Sequence, residues 1–579
     1  TDLAIRVRQR HPAGTWLYQP RARVQHSVPG ERAALGYFVR RCFEEGVGKA
    51  NLSRYVGSEE GLASERAYVA RVLPRGVAHA VHQALRGDPA GAARAGAIVL
   101  GLLVTGAGFS LTSAKNALSG SKPEHRQMTR RKRPEPPSPE FSPVRVHDIE
   151  IGEPLAPLLP GRTGSGQPFG SCLCLIRLHG RPLGTIEVPL PAAGVPAERL
   201  AELVQTALGD RIVDHLHADG LEPQPLGVAG LPGPETPLCV AVRERMLADP
   251  PRISVVIVTR GRPQRVLRTM LSILSCRYPR DRCEVIIVDT PEDGQPPLDF
   301  SAEPSIPADA NVRVVVEPQR GISLGRNRGL REATGEIVVF ADDDVDVDAN
   351  WLPNLIAGFE LGDRVAAVSG PTLPATIETP TERWFEGFGG LQRGYETRVY
   401  SLDHRPAEQP LFPFVPGALG SGRSMAFRRE AFLRLGGFDP ALGPPTPTLA
   451  GEDIEALLRF VLLGRQVVHE PAALVWHAHP RDYAMLRRRM WGYGLGLSAC
   501  ITKSVVAEPK LLPLLVRKLP RGIAFAVSPH SEKNRRRQGD YPRELVRLEA
   551  AGLLVGPLAY ARSRIQRRRR GGAPDAVRG

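Results

Sequence analysis

Between residues 253 and 344 the chain alternates short β-branched apolar runs with amphipathic stretches, and that order restricts it to a layered α/β fold. Ile253-Ser-Val-Val-Ile-Val258 is almost continuously apolar, as in a strand buried on both faces of a parallel sheet. The loop Thr259-Arg-Gly-Arg262 ends it. Pro263 then opens a helix in the first turn, where its missing N–H costs nothing, with Val266, Leu267, Met270, Leu271 and Leu274 on one face. A second strand, Val285–Val288, stops at Asp289. Val314–Val316 gives a third, Leu324–Ala333 a helix, and Ile337–Phe340 a fourth strand that runs into Ala341-Asp-Asp-Asp344. The alternation predicts a parallel, doubly wound sheet.

In such a sheet the ligand crevice lies beyond the carboxyl ends of the strands, where Thr259, Asp289 and Asp342–Asp344 all fall. Three consecutive carboxylates leaving a buried strand repel one another unless a cation shares them. Hard oxygen ligands suit Mg2+ or Mn2+. The plain alternative is an acidic loop that caps a helix near Trp351.

The motif order over 251–505 resembles that of the family 2 inverting glycosyltransferases of bacteria. The pieces are Ile253–Thr259, Val288-Asp289, Gly321–Gly329 with Arg326-Asn327, the "DxD"-like Asp342-Asp-Asp344, and Gly451-Glu-Asp453. The resemblance implies an α/β, GT-A fold, a Rossmann-like doubly wound mixed sheet, and sugar transfer from a nucleotide diphosphate sugar donor to a hydroxyl acceptor. It also implies donor contacts from Thr259, Arg262, Asp289, Arg326 and Asp343, with Asp342 and Asp344 holding Mn2+ or Mg2+. Arg326 has a second reading, as a salt bridge on a helix surface.

Asp453 matches the family's general base, and Glu452 and Trp491 fall on the acceptor side. From position alone Asp453 could equally be a helix N-cap, since Gly451-Glu-Asp opens the apolar stretch Ile454–Leu463. His477, after Ala473-Leu-Val-Trp476, matches a third metal ligand of some members; a structural histidine is the alternative. Ser424 stands where the family often has Asn, and Arg487-Arg-Arg-Met-Trp491 lacks the Gln of the processive enzymes. One sugar per encounter is therefore expected, on an acceptor that is lipid-linked or part of a surface glycan. A nucleotidyltransferase, which normally carries a longer Gly-rich phosphate loop, and a non-catalytic scaffold are the rivals.

Charge separates the catalytic section from its flanks. Residues 251–505 hold 29 basic and 31 acidic residues, whereas 506–579 hold 17 and 6. A phosphate-backbone groove needs its Lys and Arg on the folded domain, so nucleic acid is not expected as a partner. The basic runs Arg535–Arg537 and Arg567–Arg570 read as solvated tails or as patches for an anionic membrane surface. Seven cysteines without paired spacing argue against a disulfide scaffold or zinc module and favour a reducing, cytoplasmic location, peripheral at the inner face of the plasma membrane.

The remainder is organised by a repeat. Leu73-Pro-Arg-Gly-Val-Ala-His-Ala-Val81 recurs as Leu519–Val527, identical at seven of nine positions. Thr1–Arg6 echoes Ile454–Arg459, and Val24–His26 echoes Val475–His477. Residues 1–110 thus read as the tail part of a truncated second copy, with Thr1 as a cut edge. Ala95–Ala114 carries no charge and is long enough to span a bilayer, to lie on one, or to fill a core. A basic, Pro-rich linker at 111–145 precedes a small α+β module at 146–250, in which nothing suggests chemistry. Residues 506–579 form a basic helical C-terminal tail.

Overall fold

The structure, a computed structural model, describes residues 35–56, 63–86, 88–119, 141–231, 233, 236–292, 294–388, 394–403, 409–528, 531–535, 537 and 540–569. It divides into two units, residues 1–132 and 133–579. The repeat segments Thr1–Arg6 and Val24–His26 lie outside the described residues, as does Arg570.

The first unit holds α1 (Leu35–Val56), α2 (Ala63–Leu85) and α3 (Pro89–Ser119). Within α3, the 21 residues Ala93–Ser113 contain an 18-residue window of mean hydropathy 1.8, of which 6% is buried, long and apolar enough to cross a membrane. A core-filling helix would be mostly buried. α1 and α3 touch through glycines: a β-carbon at Gly46 would collide with the Thr105 carbonyl, and one at Gly108 with that of Phe43.

In the second unit β1 (Val144–Glu150), β2 (Ser171–Leu178) and β3 (Arg181–Pro189) form a sheet, β1 parallel and β3 antiparallel to β2. α4 (Ala197–Ala218) covers it with Leu200, Val204, Leu208, Ile212 and Leu216, all buried with Cys172, Cys174 and Ile176. The β2–β3 turn is His179-Gly180, with φ of 55° and 77°, as a tight hairpin between right-twisted strands requires. α5 (Leu238–Ala248) leads out of this module, and its Met246 and Leu247 pack on the core of the next.

That next domain has β4 (Ile253–Thr259), α6 (Pro263–Leu274), β5 (Cys283–Asp289), β6 (Asn311–Val316), α7 (Ile322–Glu332), β7 (Ile337–Asp342), β8 (Val345–Val347) and α8 (Trp351–Ala357). There follow β9 (Val365–Ser369), β10 (Thr372–Pro374), α9 (Pro380–Gly387), β11 (Arg398–Tyr400), β12 (Met425–Arg428), α10 (Arg429–Arg434), α11 (Glu452–Leu462), β13 (Gln466–His469), β14 (Val475–His477) and α12 (Tyr483–Ala507). Val255, Ile257, Val285 and Ile287 enter one hydrophobic core and Val256, Ile286 and Val288 the other, so the strands read as unbroken apolar runs.

The sheet is not wholly parallel. Its eight strands run in the order β11-β13-β9-β12-β7-β4-β5-β6. β7, β4, β5 and β6 are parallel, but β12 lies antiparallel between β7 and β9, and β11 antiparallel on β13. The four-residue Met425–Arg428, fully apolar but for its end, carries no period from which its direction could be read. A second sheet, β10-β14-β8, is stitched at the end of the first, with β14 antiparallel to β8.

The C-terminal segment continues without a break at residue 505, because α12 runs through it. α13 (Leu511–Val527) follows, then α14 (Arg543–Arg569), which packs along α12. A β-carbon at Gly494 would collide with the Glu549 carbonyl, and one at Gly552 with that of Trp491. These contacts reproduce those of α1 with α3: Gly46 and Phe43 stand three residues apart, as do Gly494 and Trp491, and so do their partners. α2 and α13 each enclose the repeated Leu-Pro-Arg-Gly with its proline inside the helix, at Pro74 and Pro520.

Candidate active site

Strand ends and two helices bring six acids, a histidine and several arginines to one end of the sheet. Thr259 ends β4, and its Oγ1 donates to Asp343 Oδ2 at 2.7 Å. Asp289 ends β5 and is 1% exposed; Oδ2 accepts the Leu298 N–H at 2.9 Å, whereas Oδ1 is buried without a partner. A carboxylate oxygen in that state costs free energy unless a ligand satisfies it.

The three aspartates after β7 turn different ways. Asp342 Oδ1 accepts from Arg326 Nη2 at 3.0 Å, with Arg423 Nε 3.8 Å from Oδ2. Asp343 meets Thr259 and, at 3.6 Å, Arg262; Asp344 has Arg265 at 3.6 Å and His477 Nε2 at 3.6 Å. Burial raises the pKa of Asp343 and of Asp344 from the ordinary aspartate value, for Asp344 with help from the Asp342 charge. The acidic-loop alternative leaves this burial unexplained, since a solvated helix cap needs none.

His477 reaches the group through β-sheet register: β14 sets it opposite Val345, next to Asp344. It is 1% exposed, and its Nδ1 lies 3.0 Å from Nδ1 of His479, whose Nε2 is 2.6 Å from Glu386 Oε1. Burial, reinforced by Arg423, pushes the imidazole well below its ordinary value and keeps it neutral. A separation of 3.6 Å is too long for a hydrogen bond but suits two neighbouring ligand atoms of one ion. Asp344 and the neutral imidazole are donors that Mn2+ accepts, with Asp342 beside them turned to Arg326.

Arg326 is not on a helix surface. α7 lies close on β4 because Gly325 and Gly329 face Val258 and Val256, and this leaves the guanidinium 3% exposed. It bridges Asp342 to Glu452, with Nη1 3.0 Å from Glu452 Oε1, and lies over the Phe438 ring at 5.5 Å. Burial opposes its charge, but Asp342 and Glu452 outweigh that and hold it protonated.

Glu452 opens α11 and is pushed up to about 7 by burial and then by the Asp453 charge. Asp453 Oδ2 accepts the Gly422 N–H at 2.7 Å and Oδ1 the Ile454 N–H at 2.8 Å. The N-cap position belongs to Gly451, with φ of 102°, and Asp453 divides its carboxylate between a first-turn N–H of its own helix and the loop before β12. Trp491 sits in α12 with its carbonyl against Gly552, while Arg489, two residues before it, lies over Phe385 at 5.6 Å and acts on the Asp344 charge. Ser424 is buried between Trp351 Nε1 and the Ala473 carbonyl, a core link.

Arg423, Arg489, Arg265 and His479 were not singled out from the sequence. Two of them leave a signal: Arg265 is one helical turn from Arg262, and His479 is two residues from His477. Arg423 and Arg489 leave none, being a lone cation in a loop and one arginine of three.

Residues 250–494 match the family model described as "Glycosyltransferase like family 2". This segment is a glycosyltransferase family 2-like domain. The chain is 28% identical over 228 residues to the pre-mycofactocin glycosyltransferase of Mycobacterium tuberculosis, covering 39% of this chain and 43% of that protein. With N-acetylgalactosaminyltransferase 7 of Drosophila melanogaster it shares 30% over 243 residues, 40% of each. It therefore spans less than half the length of the curated relatives it matches. The mannosyltransferase PcManGT of Pyrobaculum calidifontis, solved with GDP-Man and Mn2+, is 20% identical and covers 65% of this chain and 89% of its own, at a TM-score of 0.32, too low to bear on the site.

Proposed function

We propose that residues 251–505 transfer a sugar from a nucleotide diphosphate donor to a hydroxyl acceptor, with inversion at the anomeric carbon and with a divalent ion. The observation that carries this is the convergence of Asp289, Asp342–Asp344 and His477 at one sheet end, tied by buried Arg326 to the Glu452-Asp453 helix start. Asp342, Asp344 and His477 would hold Mn2+ or Mg2+, which when bound offsets the charge of the departing nucleotide diphosphate. Asp289 offers its unpartnered Oδ1 to the base or ribose. Arg262 and Arg265, at the start of α6, lie where phosphate oxygens of a donor would approach.

Asp453 is the proposed base. It takes the acceptor's proton as the hydroxyl attacks from the face opposite the leaving group, and its two backbone N–H contacts fix its aim. Arg326 positions Glu452 and Asp342 relative to each other. The acceptor is proposed to be lipid-linked or part of a surface glycan. α13 supports that reading: Leu512, Val516, Leu519 and Ile523 fall on one face and are each at least 50% exposed, beside Arg517 and Arg521. The helix is proposed to lie on the anionic inner face of the membrane, with α3 as a further apolar element. Residues 1–110 are proposed to be the C-terminal part of a second glycosyltransferase-like unit, supported by the matching glycine contacts and prolines.

The test is a pair of variants assayed with nucleotide sugars. Asp344→Asn should abolish donor turnover, and Asp453→Asn should abolish transfer while donor binding survives. Transfer at the normal rate by Asp453→Asn would remove the base.

A further inference from the structure

The accessory module, silent in the sequence, gathers four side chains that ligate metals. His179 Nδ1 lies 2.7 Å from Asp219 Oδ2 and 3.2 Å from His215 Nε2, and Cys239 Sγ lies 3.0 Å from the same Asp219 oxygen. His215 Nε2 is 3.1 Å from it. All four ligand atoms fall within 4.8 Å of one another. Ligands of a tetrahedral ion at about 2.0–2.3 Å stand roughly 3.3–3.7 Å apart, so small side-chain rotations close the shell.

We propose that His179, His215, Asp219 and Cys239 form a structural zinc site. The donor set is one that zinc takes: two imidazoles, a carboxylate and a thiolate, the last two balancing the ion's charge. The side chains of His179, His215 and Asp219 are at most 10% exposed, unlike the acidic surface clusters that are common without an ion. Each ligand is also held in place by its fold. The Glu150 carboxylate accepts the backbone N–H groups of His179 and Gly180 at 2.9 and 2.8 Å, clamping the turn that presents His179. His215 and Asp219 are one helical turn apart at the end of α4. Asp219 divides its oxygens, Oδ1 accepting the Cys239 N–H at 2.9 Å and Oδ2 facing the group. Such outer contacts are what orient metal ligands. The nearby Arg181 is turned to Glu470 at 2.8 Å, while buried Arg243 faces the Cys239 sulfur electrostatically and favours its thiolate.

Cysteine spacing conceals the site because its ligands come from a hairpin turn, a helix end and the start of another helix. Zinc there would pin the first turn of α5 to the β2–β3 turn and to α4. Since α5 packs on the glycosyltransferase-like core through Met246 and Leu247, the ion would fix how the module is mounted on that domain.

Cobalt reports the site selectively, because the candidate active site offers no sulfur. One equivalent of Co2+ added to the metal-free full chain should give a thiolate-to-cobalt absorption band that zinc bleaches. Cys239→Ser should abolish the band, and His215→Ala should weaken zinc binding more than the roughly 10- to 100-fold that losing an outer hydrogen-bond partner costs. Absence of the band in the unaltered chain overturns the proposal, as does a band that persists in Cys239→Ser. The unaltered chain alone decides the first outcome, whether or not a variant folds.

Discussion

Replacing Arg326 with Met tests whether the site is held by one buried cation. The methionine keeps most of the side-chain length but leaves Asp342 and Glu452 without their shared partner, Glu452 with a side chain 8% exposed. Breaking a buried pair from one side costs about 3–5 kcal/mol. At an m-value of roughly 2–3 kcal/mol/M the urea midpoint of the transition that includes this domain should fall by about 1–2.5 M. The loss depends on pH in a fixed direction. Glu452 binds its proton more tightly folded, at about 7, than at its ordinary 4.5, so its contribution to stability falls as pH rises through that window. Removing Arg326 raises the folded value further, so the variant's deficit, which includes the unpaired Asp342, should be larger at pH 8 than at pH 5. Urea titrations of both proteins at the two pH values, with no divalent metal, measure this. Equal midpoints at pH 8 would refute the bridging role, and a deficit independent of pH would show that Glu452 contributes nothing to it beside Asp342 and the Phe438 packing.

Gly451→Ala places a β-carbon 2.5 Å from the Gly496 carbonyl at a φ of 102°, so it should cost about 1–3 kcal/mol by thermal or urea melting and displace Asp453 enough to lower transfer. Asp289→Ala removes the acid with the unpartnered oxygen, and should weaken donor binding by calorimetry while leaving any transfer chemistry intact; unchanged affinity would exclude Asp289 from the donor pocket. For residues 133–579, the joint change Leu512→Ser, Val516→Ser, Leu519→Ser and Ile523→Ser should reduce affinity for anionic vesicles by roughly 100-fold or more, since partial burial of four such side chains contributes several kcal/mol. Vesicle binding that is the same in wild type and variant and unaffected by added salt would remove α13 from the membrane.

What was legible in the sequence was what depends on local pattern. The strands ending at Thr259, Asp289 and Asp342 announce themselves because both their faces are buried, and the crevice follows from where they end. Arg326 was ambiguous because its burial depends on two glycines packing α7 onto β4, which periodicity does not report. The antiparallel β12 was missed for want of length. The proposed zinc ligand set leaves no sequence signal because residues 179, 215, 219 and 239 meet only when α4 folds onto the β2–β3 hairpin. Arg423 and Arg489 become site residues only once β12 and α12 are in place beside the aspartates.

The central claim, that the 251–505 domain holds a metal-dependent donor site, is tested most directly by titrating UDP-, GDP- and dTDP-sugars into the full chain with and without Mn2+. Saturable binding of one of them, dependent on the ion and lost in Asp344→Asn, is the predicted result. No binding of any of the three by a folded chain in the presence of Mn2+ would contradict it.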